Sequence, residues 1–193
     1  MTIPPADASP AWGSLDRAAK RDRVLAAAAD LFARDGIQTP MAEVALAAGA
    51  GVASVYRLFA SKEELLAALL AQRRDQITIA AQNALERGGD RRSALRDMMI
   101  ALAEQQSATD YLGEARVTLA EHPEVLSARR RMMAALERLV AAVRSEGGLR
   151  DDATALDLRL VLIAARAAHR AEPTKWRRMM ELMLDGLDAG RDR

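Results

Sequence analysis

Between residues 39 and 62 the chain carries groups suited to gripping a phosphate backbone and reading base edges. Arg57 offers a planar fork of N–H donors, Ser54 a hydroxyl, Tyr56 a phenol and Lys62 a compact positive charge. Thr39-Pro40 and Gly51-Val52 stand where helical patterns begin, and the free N–H groups of a helix start attract phosphate. Val52 adds methyl groups that can touch a thymine methyl. A second constellation is His122 beside Pro123, flanked by Glu121 and Glu124. These are metal-ligand types, but neighbours on one loop do not fix a coordination geometry, and a capping or surface histidine fits the spacing as well. The other histidine, His169, lies in an apolar helical pattern. Cysteine is absent, which excludes disulfides and thiolate sites. No Gly-rich phosphate loop, nucleophile elbow or zinc signature occurs. The reading is therefore of a binding protein with no catalytic residues, no metal and no cofactor.

The elements that must position the first set are short helices. Val24, Ala28, Leu31 and Phe32 recur at helical spacing within a helix read over about 15–35, which Gly36 is placed to end. Thr39 as cap and Pro40 as first helical residue open a short helix to about residue 48. Gly49-Ala50-Gly51 forms a tight turn before a second short helix, 52–59. Ser61 with Glu64 makes a capping box that opens a long helix, 62–87. Two short helices joined by a glycine turn form a helix-turn-helix pattern. Small residues (Ala42, Ala45, Ala47 and Ala48) suit the crossing. Val55 and Phe59, four apart, bury one side of the second helix, leaving Val52, Ser54 and Arg57 outward for a major groove. Arg17, Lys20, Arg21 and Arg23 cluster just upstream; a solvated face accounts for them as well as a nucleic-acid partner does.

Composition agrees with an all-α fold. Half of the 193 residues are apolar, aromatics make up 3%, and the formal net charge is +1, so any nucleic-acid surface must be a local patch. No apolar stretch reaches membrane-spanning length and no secretory h-region opens the sequence, so the expectation is a cytoplasmic protein without a membrane partner. Residues 1–14, with three prolines, read as a disordered leader. Residues 15–60 read as the head and 61–193 as a helical body, with further helices at about 91–107, 110–121, 124–146, 152–170 and 174–189. The Met98-Met99, Met132-Met133 and Met179-Met180 pairs serve equally well as core filler or as pocket lining.

Residues 23–65 resemble the TetR-family DNA-binding head. The resemblance rests on Arg23–Phe32, Gly36, Pro40–Ala45, Ala48-Gly49, Ser54–Arg57, Phe59 and Ser61–Leu65. It implies a dimeric transcriptional repressor with no enzymatic activity, released from a palindromic DNA operator by a small-molecule effector. It makes 52–58 the recognition helix, with Ser54, Tyr56 and Lys62 on phosphates and Arg57 on bases or backbone. Ala50 departs from the pattern where valine commonly plugs the core, and Ala53 where glycine is frequent. By the same resemblance the body encloses a pocket. Met98, Leu102, Tyr111, Val117, Met132, Leu136, Leu139 and His169 are the candidate lining, mainly aliphatic, which suggests an apolar effector. The last two helices are apolar on more than one face, which calls for burial on more than one side. Leu158, Leu162, Ala165, Trp176, Met180, Met183 and Leu187 are the candidate homodimer interface. The competing reading is a helical ligand-binding protein or metal-dependent enzyme with a vestigial head.

Overall fold

A free carboxylate opens the first helix. Asp16 accepts a 2.7 Å hydrogen bond from the Ala19 N–H, and α1 runs Arg17–Asp35. The computed structural model describes residues 11–105, 112–113 and 115–189. The described residues form helices and turns with one isolated antiparallel bridge, Leu149 to Asp188. None of their helices is singly long and apolar enough to cross a membrane. They divide into two compact units, with the division after Leu69.

In the first unit α1 buries Val24, Leu25, Ala28, Leu31 and Phe32 and ends at Gly36, whose φ of +82° excludes most other residues. Helix α2 follows, Met41–Ala47, then α3, Val52–Leu58. Gly49 turns the chain between them at φ +65°, and the axes of α2 and α3 diverge by 103°. That angle lies within the helix-turn-helix range. Of the four alanines expected at the crossing, Ala45 and Ala48 are buried while Ala42 and Ala47 face outward. Thr39 corrects the expected cap: Pro40 occupies the cap position, and the buried Thr39 hydroxyl donates back to the Gly36 carbonyl at 2.9 Å. Helix α4, Lys62–Glu86, begins as expected, with Ser61 Oγ accepting from the Glu64 N–H at 3.1 Å. This unit includes the start of α4, so it extends to Leu69 rather than to 60. The end of the expected leader is ordered as a single 3-10 turn, Trp12–Ser14.

The second unit contains the remainder of α4, then α5 (Arg91–Glu104), the single turn α6 (Ala115–Thr118), α7 (Pro123–Ser145), α8 (Ala155–Ala171) and α9 (Trp176–Asp185). The helix expected over 110–121 is therefore only one turn within the described residues. Helix α8 starts later than the expected 152, because Thr154 and Asp157 close a reciprocal capping box there. Leu95, Met99, Leu136, Leu139, Leu158, Met180 and Leu184 are almost fully enclosed. Arg92 pairs with Asp188, and Arg96 with Asp185 at 2.8 Å and Asp188 at 3.2 Å, tying the end of the described chain to α5.

Packing corrects the expected dimer surface. Leu158, Leu162, Ala165, Trp176 and Met180 lie in the protomer's own core, and Met183 and Leu187 pack half-buried against it. The apolar face left open is the other one on α8, where Leu156, Leu160 and Ile163 stay 42–48% exposed, with Leu182 of α9 at 54%.

Candidate nucleic-acid interface

Helix α3 separates its two sides cleanly. Val55 and Phe59 are buried at its foot, while Val52, Tyr56 and Arg57 are exposed and Ser54 is half-exposed. Pro40 and Gly51, at the starts of α2 and α3, are exposed as well. Thr39 differs: its hydroxyl is spent on Gly36, so only its backbone remains to meet a ligand. Arg57 donates to Ser54 Oγ at 2.6 Å, a bond that aligns the guanidinium along the helix surface and leaves its other N–H groups available. Lys62 Nζ sits 5.8 Å from the Phe32 ring centroid, and burial lowers its pKa below the ordinary lysine range. A phosphate there would favour the charged form again.

Four residues outside the predicted set, Trp12, Arg17, Lys20 and Leu58, share this surface. Trp12, Arg17, Lys20, Ser54, Arg57 and Leu58 line one cleft of the first unit. Lys20 Nζ lies 5.9 Å from the Trp12 ring, and the Arg21 guanidinium lies 4.6 Å from the Phe59 ring. The upstream basic cluster therefore divides: Arg21 covers the head core, while Arg17 and Lys20 border Arg57. The sequence signal was the basic run itself, but helical phase alone did not say which members lay beside α3.

The predicted effector residues do not converge on one space. Met98 and Leu102 line a groove between α4 and α5, whereas Val117, Met132 and Leu136 line a cavity of about 310 Å³ among α4, α6, α7 and α8. Leu139 is sealed in the core, and Tyr111 lies outside the described residues. His169 instead packs against Trp176, the rings tilted by 54° with 5.6 Å between centroids. The expectation of a mainly aliphatic pocket is also corrected, because six of the 14 described residues lining the cavity are arginines. Of the methionine pairs, Met98, Met99, Met132 and Met180 are buried, and Met133 and Met179 pack half-buried on the same core. Among the described residues no three His, Asp or Glu side chains converge on a point that could hold a metal.

Residues 24–69 match the family described as bacterial regulatory proteins, tetR family. Residues 90–189 match the C-terminal domain described as transcriptional regulator SbtR-like. A search of curated proteins returns no match. Among solved structures, a TetR transcription regulatory protein from Mycobacterium vanbaalenii is 29% identical with a TM-score of 0.69, over 90% of this chain and 98% of that one. The TetR regulator SCO0520 from Streptomyces coelicolor has the same TM-score at 24% identity, covering 88% of this chain and 98% of its own. The TetR-family regulator PfmR from Thermus thermophilus, also 24% identical, gives 0.65 over 89% and 100%. The last two support the shared fold alone.

Proposed function

The chain belongs to the tetR family of transcriptional regulators, and from that premise we propose that it is a cytoplasmic repressor. It binds a palindromic operator as a homodimer, acts by binding rather than catalysis, and is released by a small molecule held in its second unit. The observation that carries the DNA-binding reading is the two-sided α3. Its apolar residues are buried, and Val52, Tyr56 and Arg57 are left exposed on a helix of seven residues. One such helix offers too little surface for tight specific binding; a two-fold dimer reading two half-sites supplies the rest. The open Leu156, Leu160 and Ile163 face is the surface we assign to that dimer, with a second copy as its occupant. Helix α4 runs unbroken from the first unit into the second, which suits it to carry the effector's influence. A differential affinity of about 1–3 kcal/mol between the two head arrangements would be typical of such coupling.

The test is in-vitro selection of duplex DNA by the full chain, followed by titration of the selected site. Arg57→Ala is expected to weaken binding by about 1–3 kcal/mol and relax base preference, as for loss of a bidentate base contact. Lys62→Ala is expected to weaken all sequences alike and reduce the salt slope by about one. Selection yielding no palindrome, or Arg57→Ala binding like the parent, would reject the assignment of α3.

A further inference from the structure

Arginines from four helices meet at the 310 Å³ cavity of the second unit: Arg73 and Arg74 of α4, Arg116 of α6, Arg129 of α7, and Arg159 and Arg166 of α8. Among the described residues no aspartate or glutamate lines it. Elsewhere the same unit pairs its arginines: Arg131 grips Asp75 at 2.8 Å, and Arg92 and Arg96 share Asp188. Among the described residues no carboxylate ion-pairs with Arg74, Arg129, Arg159 or Arg166. Two of the cavity's guanidinium groups also hold back buried donors. Arg166 has an Nη1 and Arg73 an Nε that are shielded from solvent and bonded to nothing. Arg73 is only 6% exposed, yet its other bonds go to neutral oxygens, the Leu102 carbonyl at 2.9 Å and two glutamine side chains. Arg74 feels the crowding: burial first, then Arg129 and Arg159, lower its pKa. Like charges on Arg74, Arg129, Arg159 and Arg166 with no carboxylate paired to them, together with the unbonded buried donors of Arg73 and Arg166, cost stability. A bound anion would reverse both terms.

We propose that this cavity binds an amphipathic organic anion, with a carboxylate or phosphate head among Arg74, Arg129, Arg159 and Arg166 and a short apolar body against Ile77, Met132 and Leu136. Arginine forks match both head groups bidentately, and the ion pairs are strengthened by partial burial. The volume lies at the small end for ligand pockets, which limits the body to a small group. Binding itself is independent of the regulatory reading; the consequence for DNA rests on it. The acid would be the effector, in place of the largely apolar molecule expected from sequence.

Calorimetry with four probes sharing one eight-carbon chain tests the head group alone: octanoate, octyl phosphate, 1-octanol and octylamine. The two acids are expected to bind at least about tenfold more tightly than the alcohol, and the amine not measurably. The double variant Arg159→Gln/Arg166→Gln is expected to lose octanoate affinity by at least about tenfold. Its unliganded thermal midpoint should stay level or rise, because a repulsion has been removed; a merely structural pair would lower it. Arg131→Gln, whose partner Asp75 stands apart from the cavity lining, serves as control and should leave octanoate affinity unchanged. Equal affinity for octanol and octanoate overturns the proposal, as does no binding by any probe. So does a double variant that loses its dimer in sedimentation while keeping octanoate affinity, since the arginines would then serve a partner's carboxylates. Octanoate binding that leaves operator affinity unchanged supports the anion site and counts against the effector reading alone.

Discussion

The head presents one helix with one buried side, whereas the second unit presents α8, apolar on two sides. In α3 the spacing of Val55 and Phe59 admits a single inward face, and the polar side chains are outward by elimination. In α8, Leu158, Val161, Leu162 and Ala165 make one apolar stripe and Leu156, Leu160 and Ile163 another. Periodicity declares two apolar faces but does not say which is buried within the chain and which is left open. That choice is made by non-local packing against α5, α7 and α9. A short amphipathic element thus announces its working surface, while a doubly apolar one conceals it.

The sharpest way to break this comparison is to charge the two faces of α8 in turn. Leu158 is 1% exposed and outside the arginine cavity, so Leu158→Glu places an unpaired carboxylate in the core and should cost at least about 4 kcal/mol. Urea denaturation should show it. Leu156→Glu with Leu160→Glu charges the open face away from the arginine cavity, and should leave that stability near the parent's while producing monomers. Operator affinity should then fall by about a hundredfold or more, because the second head no longer binds intramolecularly. Sedimentation showing an intact dimer for the second variant, or full stability for the first, would exchange the roles of the two faces.

A smaller effect sharpens the head's side of the comparison. Gly49 holds φ +65° with open space around its Cα, so Gly49→Ala meets no neighbour and should cost only backbone strain, about 1–2 kcal/mol. The two tryptophans allow the loss to be located, since Trp12 lies in the first unit and Trp176 in the second. In a Trp176→Phe background, fluorescence reports the first unit. An unchanged unfolding midpoint there would mean that the turn is not a stability determinant.

The legible features share one property: they depend on residues close in sequence. The head's three helices, the Ser61 cap and the buried pair Val55 and Phe59 follow from spacing within a few turns. Thr39 escaped because a threonine before proline suits two local hydrogen bonds, a cap or a bond back to the preceding turn, and the chain takes the second. The arginine cavity was invisible for a different reason. Arg73, Arg116, Arg129 and Arg166 are scattered over more than 90 positions, and each alone reads as an ordinary solvated helix residue. Only packing gathers them, in a space that no carboxylate of the described residues lines.

The smallest expected effect concerns the border of the head's surface. Arg17 and Lys20 share a cleft with Ser54 and Arg57, so a duplex docked on α3 would bring a phosphate strand within their reach. Both are long flexible cations at a solvent-open site, suited to backbone neutralisation rather than to base reading. Each phosphate neutralised contributes about 0.9 to the slope of log affinity against log salt. Arg17→Ala and Lys20→Ala should therefore each lower that slope by about one. The affinity lost should be alike for selected and random duplexes, leaving the ratio between them unchanged. Arg23, from the same basic run but absent from the cleft, is the internal control, and its alanine variant should leave the slope in place. A slope that falls for Arg23→Ala and holds for the other two would return the run to a solvated helix face. If the random-duplex affinity holds while the selected site weakens, Arg17 and Lys20 would be readers of sequence, and the division between a positioning border and a reading helix would fail.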